Sequence, residues 1–534
     1  MLPYIDSTFQ YASNILGATP DEIKLITTFF LSFPLAGLLR CIPHDKPHWK
    51  NLFNISVSLF YLVGLFELWT GLRTLFISST FAYVAAKHLK RSSMPWIVLA
   101  FVMGHMSINH ITRQLINDPG LVDITGAQMI LVIKLSSFAW NVADGRTAEK
   151  NLSSAQREKA IRQLPGILDF TGYVLFFPSL HAGPAFDYMD YKRWLENTVI
   201  NGPNDKDNST KTGQKKNKPP QSLVPALRKG TSGIIWILLF MKLSAVYYPD
   251  FYLGDEYLAL GFLRRVWNLH MLIFTSRLKY YGVWALSEGA CILAGYGYDG
   301  IDPITKKASW NRLRHVDPIG VETAQNTRAY LGSWNINTSN WLRNYIYLRV
   351  TPPGKKPGFW ASMATFATSA LWHGFYPGYY FTFILASFVQ TAAKKCRRYF
   401  RPFFLDPQTS KPTVLKPYYD ILSFVVTQAT FSFVTAPFVF LTFNSSLKVW
   451  SGLYFYGVIG TALSILLFES PATEFLERKL AIRAGTKKPI ISRTKSSEIA
   501  SEPVIGIPAI QEEKIKDLLQ NMKTDVTNIE NTKI

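Results

Sequence analysis

Between Pro357 and Ala393 the chain runs for 37 residues without an Asp, Glu, Lys or Arg, and His373 is the one titratable side chain there apart from the tyrosines. The hydrocarbon core of a bilayer takes about 20 helical residues at about 1.5 Å each. One straight helix of this length overshoots it, so the stretch must bend or break. Gly374, Pro377 and Gly378 mark the place, since proline removes a backbone donor and clashes with the preceding turn while glycine tolerates irregular backbone. His373 is therefore expected at the lip of a helix break, in apolar surroundings. Irregular backbone at membrane depth survives only where protein or a water-filled cavity satisfies it, which points to an internal chamber, and an ionisable residue there is functional by default. The plainer alternative is a neutral imidazole satisfied by a neighbouring helix.

The rest of the chain has the same character. Its 534 residues are 48% hydrophobic, 14% aromatic and only 17% charged, and the apolar residues come in blocks rather than at amphipathic spacing. The blocks lie near Ile23–Ile42, Leu52–Trp69, Leu72–Ala86, Pro95–Ile111, Ile124–Val142, Leu164–Leu180, Ile234–Tyr248, Tyr257–Thr275, Tyr280–Tyr298, Trp341–Val350, Ile421–Phe443 and Val449–Phe468, besides the His373 stretch. Several are shorter than a clean span. This is the pattern of an all-α polytopic membrane protein, with roughly 10–12 transmembrane or re-entrant helices around an internal chamber. The net charge of +21 reads as topology, because the basic residues cluster beside apolar blocks as they do in loops facing anionic headgroups; a nucleic-acid partner is not expected. Cys41, Cys291 and Cys396 are too few and too scattered for a disulfide framework or a zinc site.

Three regions follow: an N-terminal segment 1–22, a membrane domain 23–470 and a polar tail 471–534 on the cytosolic side. The N-terminus lacks the basic and apolar regions of a cleaved signal peptide, so the first span is expected to act as the membrane signal. Pro203–Gly230, with Lys206, Lys211, Lys215, Lys216, Lys218, Arg228 and Lys229 among Asn, Asp, Ser and Pro, is expected to be a mobile cytosolic loop in which the sequon at Asn208 stays silent. Three apolar blocks separate this loop from the basic cluster Lys87–Arg91, so either one of them does not cross or the positive-inside pattern is broken once.

Beyond His373, polar groups at membrane depth gather in Ser333-Trp334-Asn335-Ile336-Asn337-Thr338-Ser339-Asn340-Trp341. Asparagines between tryptophans are costly to bury unpaired; a helix start capped by Asn337 or Thr338 is the simpler account. Glu288 stands alone in Tyr280–Tyr298, and Lys134 lies in Ile124–Val142 between Asp123 and Asp144. Both read either as functional charges or as pairs that hold helices together.

Ser369-Ala370-Leu371-Trp372-His373-Gly374 and Pro377-Gly378-Tyr379-Tyr380, preceded 38 residues before the histidine by Trp334-Asn335, resemble the paired signature of the membrane-bound O-acyltransferase family. The likeness extends from Ile23 to about Phe468 and takes in Phe138-Ala139-Trp140 with Asp144-Gly145, Gly183-Pro184-Ala185-Phe186-Asp187-Tyr188, Ser287-Glu288-Gly289 and Glu322-Thr323-Ala324-Gln325-Asn326, which are similar to lysophospholipid-acylating members. The aromatic-acidic motif that sterol and diacylglycerol acyltransferases of the family carry ahead of their asparagine is missing.

The resemblance implies transfer of a fatty acyl chain from acyl-CoA, a co-substrate, to the free hydroxyl of a lysophospholipid in the endoplasmic reticulum membrane, without cofactor or metal. It implies His373 as general base and Asn335 as its polar partner, with Asn337 the neighbouring alternative and Trp334, Trp372, Glu288 and Asp144 in support. The chemistry suits these residue types: an alcohol needs a base to become a nucleophile, imidazole is poised for that near neutral pH, and an amide can stabilise a developing oxyanion or orient the base. Arg349, Lys355 and Lys356, between the two motifs, suit either the coenzyme's phosphates or ordinary interfacial anchoring. A protein, sterol or diacylglycerol acceptor is the nearest alternative. A polytopic solute transporter is the alternative of another class, although no internal repeat supports it.

Overall fold

The computed structural model describes residues 3–16, 19–43, 45–117, 122–196, 220–302, 305–352 and 355–485. No β-strand occurs among them, only the isolated bridges Ile301–Ala308 and Leu405–Pro412. Among the described residues four helices are long and apolar enough to cross a membrane by themselves: Pro20–Cys41, Met94–Ile116, Leu223–Ser244 and Lys416–Phe440. The broken pair Phe443–Gly452 and Tyr456–Glu469 makes a fifth if taken together, its break carried by Tyr454 and Phe455, both with positive φ. The other apolar blocks fall on helices that are shorter, more charged or less apolar overall.

The chain divides into two compact units, one of residues 1–316, 367–383 and 435–453, the other of 317–366, 384–434 and 454–534. In the first unit, Pro20–Cys41 opens with a capping box in which Thr19 and Glu22 each bond the other's backbone N–H, and Pro20 takes the first helical position. The helix Thr125–Gly145 is apolar on nearly all faces and correspondingly buried, from Ala127 to Asp144 with few exceptions. Its end fits against backbone: a Cβ on Gly145 would lie 1.9 Å from the Ile161 carbonyl oxygen.

Leu223–Ser244 packs along Phe262–Leu293, and small residues let the backbones meet. A Cβ on Gly233 would stand 2.9 Å from the Gly282 oxygen, and one on Gly282 2.4 Å from Ile237 Cγ1. The two blocks Tyr257–Thr275 and Tyr280–Tyr298, expected as separate, thus form a single helix of 32 residues. The residues 276–279 between them, Ser-Arg-Leu-Lys, include no proline or glycine to interrupt it, and Arg277 is itself buried. The block Leu164–Leu180 yields only the helix Ile167–Val174 and a 3₁₀ turn Phe177–Ser179, too short to span.

The second unit holds Thr327–Ser333, capped by Asn326, whose Oδ1 accepts the Ala329 N–H at 3.0 Å, and Ile336–Leu342. Gln428 Nε2 donates to the Val321 carbonyl at 2.9 Å, and the Tyr330 and Phe431 rings stack at 4.0 Å. Two regional expectations are corrected. The loop reaches no further than 222 on its C-terminal side, because Leu223 starts a helix in which Lys229 has an ionic partner on its neighbour. The tail is not polar coil from 471 onward: Ala472–Arg483 is helical, Leu480 packs with Tyr399 and Phe468, and Arg483 donates to the carbonyls of Phe403 and Leu405 at 2.6 and 3.1 Å. The loop residues 203–219, with Asn208, and the tail beyond 485 lie outside the described residues.

Candidate active site

The uncharged stretch breaks where its glycines and proline stand. A helix Phe359–His373 ends on the histidine, Gly374 takes φ +118°, and a new helix runs Pro377–Phe400. Such a φ strains any side-chain-bearing residue. The Gly374 N–H is shared between the carbonyls of Ala370 and Leu371, each at 3.2 Å. On the far side of the break the Gly378 N–H, with no earlier turn to bond to, donates to the Leu441 carbonyl at 2.7 Å. The approach is so close that a Cβ on Gly378 would lie 2.0 Å from the Pro437 oxygen.

Within this unit the His373 ring sits in an aromatic cage. Phe383 stacks on it at 5.3 Å between centroids, Trp372 and Phe438 meet it edge-on at 4.7 and 4.9 Å, and Tyr379 lies at 5.6 Å. Trp372 is pinned through its indole N–H to the Met129 carbonyl at 3.0 Å. Among the described residues neither nitrogen of His373 has a hydrogen-bond partner, so the satisfied-imidazole alternative finds no support. These contacts orient the ring by packing.

Asn335 belongs to the second unit. It precedes the helix Ile336–Leu342 in the left-handed conformation, φ 42°, which asparagine tolerates better than most residues. The helix therefore begins earlier than Asn337 or Thr338, the caps expected from sequence. Asn335 makes no side-chain cap to it, while its carbonyl accepts the Ser339 N–H at 3.0 Å. Trp334 and Asn337 flank it, half-buried. Arg349 follows the next turn and donates to the Asn344 carbonyl at 3.4 Å, and Lys355 and Lys356 are exposed.

The remaining charged candidates, all in the first unit, have partners within it. Glu288 pairs with Lys229 at 2.9 Å and accepts the His315 N–H at 3.2 Å. Lys134 does not pair with Glu288: its ammonium donates to the Tyr173 carbonyl at 3.0 Å and the Ser179 hydroxyl at 3.5 Å, with the Phe186 ring 4.3 Å away. Buried Asp144 accepts from Gln156 Nε2 at 3.5 Å. These contacts tie elements together. Glu288→Gln is expected to lower stability by about 1–2 kcal/mol, less than for a fully buried pair because Lys229 keeps some contact with solvent. Turnover per folded molecule should stay unchanged. Thermal unfolding and a rate normalised to folded protein check both.

Sequence reasoning left two groups aside. Lys159 pairs with Asp187 at 2.5 Å, and Asp187 also accepts from Asn141 at 3.1 Å; burial opposes the lysine's charge, but Asp187, Asp190 and Glu158 outweigh it and lift its pKa to about 12. His110, the second, bonds the backbone of Trp372. Its signal was available, since a histidine inside the apolar block Pro95–Ile111 falls under the same expectation as His373. No three His, Cys, Asp or Glu side chains among the described residues are placed to hold a metal ion.

Residues 116–435 match the model of the membrane-bound O-acyltransferase family. The lysophospholipid acyltransferase of Schizosaccharomyces pombe is 41% identical over 484 residues, 91% of this chain and 93% of that one. The lysophospholipid acyltransferase of Saccharomyces cerevisiae is 40% identical, covering 94% of this chain and 81% of that one. Human membrane-bound glycerophospholipid O-acyltransferase 1 is 32% identical, covering 88% and 93%. The chain belongs to the membrane-bound O-acyltransferase family. It is a multi-pass membrane protein.

Proposed function

We propose that the protein is an acyl-CoA-dependent lysophospholipid acyltransferase of the endoplasmic reticulum membrane, with its C-terminal end on the cytosolic side. A nitrogen of His373 takes the proton of the lysophospholipid hydroxyl as the oxygen attacks the thioester carbonyl carbon. The tetrahedral intermediate collapses with cleavage of the C–S bond, the acyl chain passes to oxygen, and coenzyme A leaves as a thiol after taking up that proton. Asn335 serves as an uncharged donor, to the oxyanion or to the base, with Asn337 beside it. Arg349, Lys355 and Lys356 suit the coenzyme's phosphates by charge. A thioester is already activated, so this route asks for no cofactor.

The observation that carries the reading is the unengaged imidazole at the helix break, in a family whose members transfer acyl groups. The named activity of the two yeast relatives supports a lysophospholipid as acceptor. The test uses purified protein in liposomes with labelled oleoyl-CoA and separate acceptors: lysophospholipids of several head groups, a sterol, diacylglycerol and a serine peptide. Labelled phospholipid is expected, with little label in the other acceptors. Label confined to sterol, diacylglycerol or peptide would overturn the acceptor assignment, and the absence of any ester product would overturn the enzymatic one.

A further inference from the structure

We infer that His110 is a positioning residue for acyl transfer, whose Nε2–H, donated to the Trp372 carbonyl, fixes the last turn of the helix that ends on His373. The inference rests on the proposed role of His373 as base. The last four carbonyls of a helix have no intrahelical partner, and those at the break are at membrane depth where water does not serve them freely. His110 Nε2 lies 3.1 Å from the Trp372 oxygen, and both residues are buried. A carbonyl only accepts, so Nε2 carries the hydrogen.

The contact belongs to a closed frame. His110 projects from the helix Met94–Ile116 onto the Trp372 backbone, while the Trp372 indole bonds the Met129 carbonyl on the helix Thr125–Gly145. Those two helices are in turn joined by Asn109 Nδ2 donating to Gln128 Oε1 at 2.6 Å. Trp372 is thus held at its backbone and at its ring by two helices that are held to each other. The His110 ring also covers the break: a Cβ on Gly374 would meet its Nδ1 at 3.1 Å and Cγ at 3.2 Å. His105, one turn and a half earlier, bonds Ser78 instead and serves a different contact. His373, with no hydrogen bond of its own among the described residues, depends on this backbone as well as on its ring packing for its angle of presentation.

The experiment compares wild type, His110→Leu, His110→Gln and His373→Ala, each purified in the same liposomes, for kcat, KM and thermal unfolding. Displacements on the order of 1 Å at a reacting group cost up to about 10²-fold, so His110→Leu is expected to lower kcat about 10- to 100-fold. KM should stay within about 3-fold, since binding is not what the bond serves. Glutamine places an amide N–H near the same position and should restore most of kcat. A folded His110→Leu protein with wild-type kcat would overturn the inference, as would a rise in KM alone, or failure of glutamine to rescue a folded enzyme. If His110→Leu does not fold, His110→Met takes its place; loss of folding in every variant without the N–H would mean a purely structural bond and overturn the inference. His373→Ala keeps the two readings apart. Activity retained there removes the base and this inference with it, whereas an inactive His373→Ala beside a fully active His110→Leu removes this inference alone.

Discussion

His373→Ala should make labelled phospholipid at a rate at least about 10²-fold below wild type, the lower end of what general-base assistance supplies. Folding should survive, because the side chain makes ring contacts but no hydrogen bond in the described structure, and its backbone is held by groups on other residues. The cage of Phe383, Phe438, Tyr379 and Trp372 would be left with a cavity and a moderate loss of stability. Parallel thermal unfolding and turnover measurements separate the two effects. A folded variant with undiminished turnover would return the histidine to a packing role.

Gly378→Ala should be damaging for so conservative a change. The added methyl would stand 2.0 Å from the Pro437 oxygen and 2.9 Å from the Leu441 oxygen, both backbone atoms. Neither can swing aside, and separating the segments also stretches the bond from the Gly378 N–H to Leu441. Overpacking of this kind costs about 1–3 kcal/mol or more. Activity should fall further than stability, since the start of the second helix sets the spacing of the break beside His373. Gly104→Ala, on a helix position where a methyl meets nothing within 4 Å, is the control and should be neutral or slightly stabilising. Unfolding temperature and kcat, measured together on both variants, check the contrast.

The break at Gly374–Gly378 was legible because it depends on residue types with one physical meaning each, set in a stretch too long and too apolar for a single span. The family was legible for another reason: Trp334-Asn335 and the run Ser369–Gly374 with Pro377–Tyr380 resemble its paired signature in order and spacing. Partners were not legible. Glu288 is neutralised by Lys229, which the sequence places beside a run of loop residues, and nothing local tells a lysine that ends a loop from one that begins a helix. Lys134 found a carbonyl and a hydroxyl on a segment some 40 residues away, and no periodicity encodes such a choice. The fusion of two apolar blocks into Phe262–Leu293 went unforeseen because a polar interval reads as a loop, whereas buried Arg277 shows that protein, not lipid, surrounds that turn. The cap at Asn335 was misjudged by two residues because a left-handed backbone can start a helix without side-chain help.

The enclosure of Thr125–Gly145 carries a consequence for how the host membrane acts on this protein. Thickness mismatch is felt by helices with lipid-facing surface, which tilt or thin the bilayer around them. Leu223–Ser244, with Leu227, Ile235, Leu238 and Met241 outward, is such a helix. Thr125–Gly145 is not, and it is Met129 on this helix that holds the Trp372 indole. A bilayer that thickens or thins pulls first on the outer helices, so the anchor beneath the histidine is insulated from lipid composition, the very quantity that phospholipid remodelling alters.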